Sequence, residues 1–390
     1  MPKTKAVILT EIISPYRIPP FNYLAQDEEI DLTVFFFAET ESRRSWLVEK
    51  EKIQFSYQVL WGLQLGKSYQ SAPVFLNPDV IYQLWKQQPD VIICGGWHHF
   101  THWLALMYAQ MTKTPLLIWS ESTLKDERIL SSIKYKLKEW IVNQADGYII
   151  PGKAQKNYLA ELGAREDRIW TAPNAVDSVF FANEAQYYRQ QKAILKEKLD
   201  IAGCVILYVG RLIDEKGIPE LLEAFTKLSP QKQVTLVIVG DGSRSQNYHS
   251  YTQQNQLDNV VFAGFQPQTA LPQYYGIADI FVFPTRSDTW GLVLNEAMAA
   301  GLPIVCSDAA GAAPDLVVNG ENGYLIPVGD VEKLSEKLQI LVEDENLREK
   351  MGLHSQEIIA NYTPQKMALG LKEAILGSLQ HNRITSQPRS

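Results

Sequence analysis

The chain is short of cysteine, of positive charge and of long apolar runs, and each shortage removes a class of function. Three cysteines, Cys94, Cys204 and Cys306, occur in 390 residues, each in apolar, strand-like surroundings. Their spacing fits neither a zinc site nor a disulfide framework, which leaves buried free thiols in a reducing compartment. A formal net charge of -7 offers no basic face to a phosphate backbone, so nucleic acid is excluded as the main partner. No apolar run approaches the ~20 residues that span a bilayer. The first strand-like run, residues 6–9, is too short for a secretory signal and soon meets Glu11. A cytoplasmic protein is the expectation. Residues 10–20 contain no glycine, so the closely spaced glycines of a nicotinamide-dependent oxidoreductase are missing after the first strand. Internal repeats and low-complexity tracts are also missing.

What is present reads as a soluble two-domain α/β protein. The composition is 46% hydrophobic, 21% charged and 11% aromatic, ordinary for a globular chain that is long for a single core. Strand-like runs alternate with helical patterns. In the first half they are AVILT (6–10), LTVFFF (32–37), DVIICGG (90–96), PLLIWS (115–120) and GYII (147–150). In the second half they are VILYVG (205–210), TLVIVG (235–240), NVVFAG (259–264), DIFVFP (279–284) and PIVCSD (303–308). Near-continuous apolar strands imply burial on both faces, hence two parallel sheets covered by helices. The polar stretch 173–200 has no strand pattern, and the hinge is expected near its start. A helix is expected after NYT, with Pro364 at a permitted first position. The polar residues 381–390 are expected to be a disordered tail.

Two segments carry chemistry. In TRSDTWGLVLNEAMAAG (285–301), Asp288 and Glu296 stand on either side of a glycine turn at Gly291, ahead of a run able to start a helix. Helix N-termini attract phosphate, and carboxylates accept hydrogen bonds from sugar or ribose hydroxyls. That pairing points to a nucleotide-sugar. In GRLIDEKGIPELLEAF (210–225) a buried strand ends at Gly210 and delivers Arg211 and Lys216 to a strand-end loop. Two cations placed there suit a diphosphate and its departure as a leaving group. Each element also has an ordinary reading: solvated loop charges for Arg211 and Lys216, a capping aspartate for Asp288, a surface glutamate for Glu296. In VGDGS (239–243) the ordinary reading is preferred, with Asp241 capping the next helix.

The second half, roughly residues 205–330, resembles glycosyltransferase family 4. The match runs through GRLIDEKG, VGDGS, FAGF, the acid pair with seven intervening residues, EAMAAGLPIV and NGENGYLIPVGD. In the first half only PYRIPPFNYL, PDVII and PNAVD match. The resemblance implies a GT-B fold: two Rossmann-like domains with parallel sheets facing across a cleft. It divides the chain into an acceptor domain (1–178), a donor domain (179–361) and a helix (362–380) crossing back to the first domain. It implies a retaining transfer of a hexose-type sugar from a nucleotide-diphosphate donor to a glycan, a lipid-linked saccharide or a small metabolite, in polysaccharide or glycoconjugate biosynthesis. No metal and no cofactor are implied. By position, Arg211 and Lys216 hold the diphosphate and Glu296 the ribose, while Asp288 contacts the transferred sugar. Amides of Gly291, Leu292 and Val293 support the phosphates, and Gly264 and Phe265 flank the base. Arg211, Lys216 and Asp288 are the catalytic set.

Three departures from the family pattern stand out. The leading acid is Asp288 rather than glutamate, one methylene shorter. The glycine-rich first loop is replaced by ISPYRIPP (13–20), which puts Ser14, Tyr16 and Arg17 on the acceptor side. Gly95 stands where many members have a histidine; His98 or His99 can supply an imidazole from the same strand end, with Glu121 facing the same way to pair with one of them. The stretch 127–146 has Leu130, Ile133, Leu137 and Ile141 on one helical face, decorated by Lys134, Lys136 and Lys138. Its plain reading is a helix docked on its own sheet; the alternative is peripheral contact with the inner face of a membrane. Two other activities share the fold expectation: a nucleotide-sugar epimerase, and a donor-binding subunit that has lost catalysis.

Overall fold

The apolar runs become strands because a parallel strand buried on both faces needs little polar surface. In the computed structural model, which describes residues 2–41, 49–66, 73–126, 132–228 and 233–385, all ten runs lie in strands. The chain separates into two compact units, Met1–Asn174 with Pro364–Ser390, and Ala175–Thr363. Each unit holds one parallel, helix-covered sheet, so the fold is α/β with two Rossmann-like domains. The division falls between Asn174 and Ala175 rather than at 178/179.

In the N-terminal unit the strands are β1 (Thr4–Ile12), β2 (Ile30–Ala38), β3 (Ser56–Val59), β4 (Leu63–Leu65), β5 (Val74–Leu76), β6 (Val91–Cys94), β7 (Leu116–Trp119), β8 (Gly147–Ile150) and β9 (Ile169–Thr171). β4 and β5 form a separate antiparallel pair, and the others form a sheet ordered β3-β2-β1-β6-β7-β8-β9. The order reverses between β1 and β6, which creates a crevice at their carboxyl ends. Helix α1 (Ile18–Ala25) starts within 13–20, and its first-turn prolines explain that segment's composition. Helices α2 (Val80–Gln87), α3 (Phe100–Thr112), α4 (Ser132–Asn143) and α5 (Lys153–Glu161) follow.

The C-terminal unit opens with α6 (Ser178–Gln190) and α7 (Lys192–Lys198), which occupy the polar stretch without a strand pattern. Its sheet contains β10 (Cys204–Val209), β11 (Val234–Val239), β12 (Val260–Gly264), β13 (Ile280–Phe283), β14 (Ile304–Ser307) and β15 (Gly323–Ile326), ordered β12-β11-β10-β13-β14-β15. Here the reversal lies between β10 and β13. The helices are α8 (Ile218–Thr226), α9 (Ser245–Gln254), α10 (Leu271–Ile277), α11 (Leu292–Ala299), α12 (Ala313–Leu316), α13 (Val331–Glu343) and α14 (Glu345–Ile359).

The last helix, α15 (Pro364–Thr385), belongs to the N-terminal unit and packs on α1, β8 and β9. Lys372 ties it to the α1–β2 turn through Asp27 at 2.8 Å and Glu29 at 2.6 Å. It runs to Thr385, so the tail expected from 381 starts too early; residues 386–390 lie outside the described residues. A second correction concerns α4. Its inward side is Ile141 and Val142, with Tyr135 packed alongside, whereas Leu137 is exposed. The buried stripe is rotated from the expected one, which therefore puts Leu137 on the outside. Leu130 and the side chains of Ile133 and Lys134 lie outside what is described.

Gly217, between β10 and α8, shows how tightly the donor-side loops are fitted. Its φ is +69°, and a Cβ there would stand 2.0 Å from the Pro284 carbonyl oxygen. Gly264 has a similar φ of +66°, but a Cβ added to it would meet nothing within 4 Å. Gly217→Ala is therefore expected to cost about 2–4 kcal/mol through strain and backbone collision. Gly264→Ala should cost about 1 kcal/mol through the left-handed backbone alone. Urea unfolding of the two variants checks the difference; equal costs would show that the β10 and β13 loops are not held in contact.

Candidate functional site

The carboxyl ends of β10 and β13 meet at the reversal of the C-terminal sheet, where open α/β sheets bind ligands. The loop after β10 carries Arg211 and Lys216, and the loop after β13 carries Asp288. Backbone bonds lock the two loops together: the Glu215 carbonyl accepts from the Arg286 amide at 2.8 Å and from the Thr285 hydroxyl at 2.9 Å. Lys216 is buried, and its ammonium meets the Asp288 carboxylate at 2.5 Å. The same ammonium lies 5.7 Å from the Phe283 ring centre. Asp288 uses its other oxygen to accept the Trp290 amide at 3.1 Å. That bond, two residues along the chain, is an Asx turn, which a glutamate's longer side chain does not form in the same way. The aspartate in place of the family's glutamate thus has a local structural reason.

The turn continues into α11 through Gly291, whose φ is +93°. Gly291 is buried, while Leu292 and Val293 are partly exposed at the first turn of the helix. Arg211 is exposed on the same loop as Lys216, and its carbonyl accepts the Tyr208 hydroxyl at 3.2 Å. The loop after β11 closes against these residues: the Leu212 amide donates to the Asp241 carbonyl at 2.9 Å. The Asp241 side chain accepts from the Gly242 amide at 2.7 Å and from the Ser245 hydroxyl at 2.5 Å. It holds a turn ahead of α9 rather than capping a helix amide. Gly264 and Phe265, at the end of β12, are exposed, and the Gly264 carbonyl accepts the Gly240 amide at 2.8 Å.

Glu296 sits differently from the other acid. It lies in the second turn of α11 with 0% of its surface exposed, and one carboxylate oxygen accepts the Tyr275 hydroxyl at 2.7 Å. The structure therefore gathers Arg211, Lys216 and Asp288 at one strand edge, with Gly291, Leu292 and Val293 beside them. Glu296 belongs to the same helix but faces the interior.

The N-terminal sheet has its own cluster at the β1–β6 reversal. His99 is buried; the Phe75 amide donates to its Nδ1 at 3.2 Å, so Nε2 carries the hydrogen and donates to Glu11 at 2.9 Å. His98 keeps an exposed edge while its ring stacks on Trp97 at 5.6 Å. Burial of that ring, and His99 next to it, lower its pKa. His102 is packed 5.0 Å from the Phe37 ring centre, and burial holds its pKa far below the usual imidazole value. Gly95 lies against β1, where a Cβ would come within 3.0 Å of the Leu9 carbonyl oxygen, leaving little room for a histidine. Arg17 lays its guanidinium 4.0 Å over the Trp119 ring and pairs with Glu121. The expected pairing of Glu121 with His98 or His99 is thus corrected: Arg17 takes Glu121, and Glu11 takes His99. The Arg17 amide donates to the Ser14 carbonyl at 2.9 Å, and Tyr16 lies half-buried in that turn. Among the described residues, no group of three or more His, Cys, Asp or Glu side chains is placed to hold a metal ion.

Comparison with known proteins bears on both units. A family model described as "Glycosyl transferases group 1" matches residues 191–357, and one described as "Glycosyltransferase Family 4" matches residues 27–180. The chain belongs to glycosyltransferase family 4. A capsular polysaccharide biosynthesis glycosyltransferase of Staphylococcus aureus is 34% identical over 160 residues, 40% of this chain and 41% of that protein. The sulfoquinovosyl transferase of Arabidopsis thaliana is 28% identical over 308 residues, 75% of this chain and 58% of that protein. These alignments thus span about half the length of the relatives. Among solved structures, Anabaena HepE in complex with UDP superposes with a TM-score of 0.74 at 20% identity, covering 96% of this chain and 100% of that one. Sucrose-phosphate synthase from Thermosynechococcus elongatus gives a TM-score of 0.73 at 18% identity, with 99% and 100% covered. These likenesses give the GT-B fold.

Three residues of this family 4 glycosyltransferase's strand edges escaped the sequence reading. Glu11 had a signal, being an acid at the carboxyl end of the first strand. Trp119 and Tyr275 had none, since an aromatic in an apolar run reads as core. The thiols near these edges are not nucleophiles. Burial pushes Cys94 up to about 12 and raises Cys306 further, so neither carries a thiolate at neutral pH. Cys94 and Cys306 are expected to resist a disulfide labelling reagent at pH 8 until the protein is unfolded; rapid native labelling of either would contradict that burial.

Proposed function

We propose that the chain is a retaining glycosyltransferase that moves a hexose-type sugar from a nucleoside-diphosphate donor to a glycan, lipid-linked or small-molecule acceptor. The observation that carries the reading is the convergence of Arg211, Lys216 and Asp288 at the β10–β13 reversal. A diphosphate there would meet two cations and the first turn of α11, with the amides of Gly291, Leu292 and Val293 at that end of the helix. Phe265, exposed at the end of β12, offers a flat face to a base.

The chemistry asked of the protein is placement and stabilisation of a leaving group. Lys216 is held in position by Asp288 before any ligand arrives. A departing diphosphate shares that ammonium, and Asp288 turns its freed oxygen to a hydroxyl of the transferred sugar. With cations supplied by side chains, the reading needs no bound metal and no cofactor. Glu296 is assigned the ribose hydroxyls, an exchange in which ribose must compete with the Tyr275 hydroxyl. On the acceptor side, Ser14, Tyr16, Arg17, His98, His99 and Glu121 line the carboxyl edge of the N-terminal sheet, joined by Glu11. Three free thiols suit a cytoplasmic location, and no described helix is long and apolar enough to cross a membrane.

UDP, the nucleotide bound in the HepE structure, is the first ligand to screen by thermal shift, followed by UDP-sugars. Saturation at a hundred times Kd stabilises by about 2.7 kcal/mol. With the donor identified, Lys216→Ala is expected to lower kcat by roughly a hundredfold or more, the scale of losing one stabilising group, and to raise donor KM by less. Unchanged turnover at saturating donor would reject the role. Release of an altered donor sugar would favour an epimerase, and binding with no turnover a donor-binding subunit.

A further inference from the structure

The chain enters α11 through a turn that has no side chain to cap the helix. Ser, Thr, Asp and Asn are favoured at such a point because their side-chain oxygen takes one of the first helical amides. Here the N-cap is Gly291, in a left-handed conformation, and no side-chain bond caps it. Nothing larger fits, since a Cβ on Gly291 would stand 2.9 Å from the Phe283 ring.

A helix begun this way needs another device to fix the angle at which the chain enters. A common one is a staple, in which the residue before the N-cap packs on the fourth residue of the helix through apolar side chains. In this chain those two positions are Trp290 and Asn295, and the staple is a hydrogen bond. The Trp290 Nε1–H donates to the Asn295 Oδ1 at 2.9 Å. Both side chains are buried, Asn295 completely. Apolar side chains can slide on one another. A buried amide holds the indole at one distance and direction, because breaking the bond strands a polar atom away from water.

Backbone bonds take up the remaining freedom of the turn. The Gly311 amide donates to the Asp288 carbonyl at 2.9 Å, and the Ala312 amide to the Trp290 carbonyl at 3.1 Å. The indole ring lies 6.3 Å from the Tyr362 ring, whose hydroxyl donates to the Asp315 carbonyl at 3.4 Å. Residue 290 thus bonds forward into α11 with its side chain and back to the Asp288 carboxylate with its amide. The orientation of the indole and the place of the carboxylate are set together.

We propose that Trp290 and Asn295 are positioning residues. Their hydrogen bond sets the entry into α11, and so holds the Asp288 carboxylate and the amides of Gly291, Leu292 and Val293 in the arrangement that a nucleoside diphosphate requires. The ligand in that statement rests on the donor reading above; the ordering of the turn does not.

Two variants test it. Trp290→Phe keeps an aromatic ring but removes the donor, which strands the Asn295 oxygen. Trp290→Phe with Asn295→Leu removes both polar partners and returns the staple to its apolar form. The single variant is expected to lower the thermal midpoint, and the double variant to recover most of that loss. In both, UDP followed by titration calorimetry is expected to bind roughly tenfold more weakly than to the unaltered chain. Without ligand, the amides of 288–293 should exchange hydrogen roughly tenfold faster in both. Leu338→Ala, which opens a cavity under α13, is the control for stability alone: its midpoint should fall while UDP affinity changes by less than about twofold. Exchange of 288–293 at the unaltered rate in the double variant would overturn the proposal, because packing alone would then set the turn. Undiminished UDP affinity in both variants would overturn it too, as would a loss in Leu338→Ala as large as in Trp290→Phe. If the unaltered chain binds no UDP, the donor reading fails separately, and exchange in the double variant still decides the positioning role.

Discussion

The contact between Lys216 and Asp288 is what the donor-side geometry depends on. Two loops separated by some seventy residues of sequence are brought together because β10 and β13 are neighbours at the reversal of the sheet. The ammonium is almost enclosed, so it needs a carboxylate in place; a buried cation left unpaired is costly. Asp288 meets that need while its Asx turn presents the Trp290 amide and sets the path into α11. One short side chain thereby aligns a cation, a glycine turn and a helix N-terminus. Each would be ordinary alone. Together they suit the proposed diphosphate, with a carboxylate beside it.

The N-terminal sheet repeats the architecture with different chemistry. At its reversal Arg17 pairs with Glu121, and His99 donates to Glu11. With the Glu11 and Glu121 carboxylates against one guanidinium, this edge offers hydrogen bonds to hydroxyl-bearing ligands and no net positive charge to phosphate. The C-terminal edge adds Arg211 and the N-terminus of α11 to its Lys216–Asp288 pair, and that difference supports the proposed assignment of donor and acceptor to different units. The buried, neutral His102 behind His99 contributes packing among aromatic rings.

Much of the fold was legible because strands buried on both faces leave long apolar runs. The strands that were missed, β3, β4, β5, β9 and β15, are three or four residues long and lie at sheet edges or in the separate antiparallel pair, too short to leave such a run. The C-terminal site was legible in residue type and order, since the cations and the leading acid each follow a recognisable strand. Their partners were not. Glu11 and His99 are 88 positions apart, and nothing local to either specifies the meeting. The interior position of Glu296 follows from which way α11 turns on the sheet, and Leu137 from a small rotation of α4. Pattern fixes periodicity more firmly than phase.

The most direct test of the central claim is hydrogen–deuterium exchange of the full chain with and without UDP. The account predicts slowed exchange in two separate segments at once, 210–217 and 285–293, because one diphosphate would contact both loops. Protection confined to one segment, or to neither while the nucleotide is bound, would contradict it.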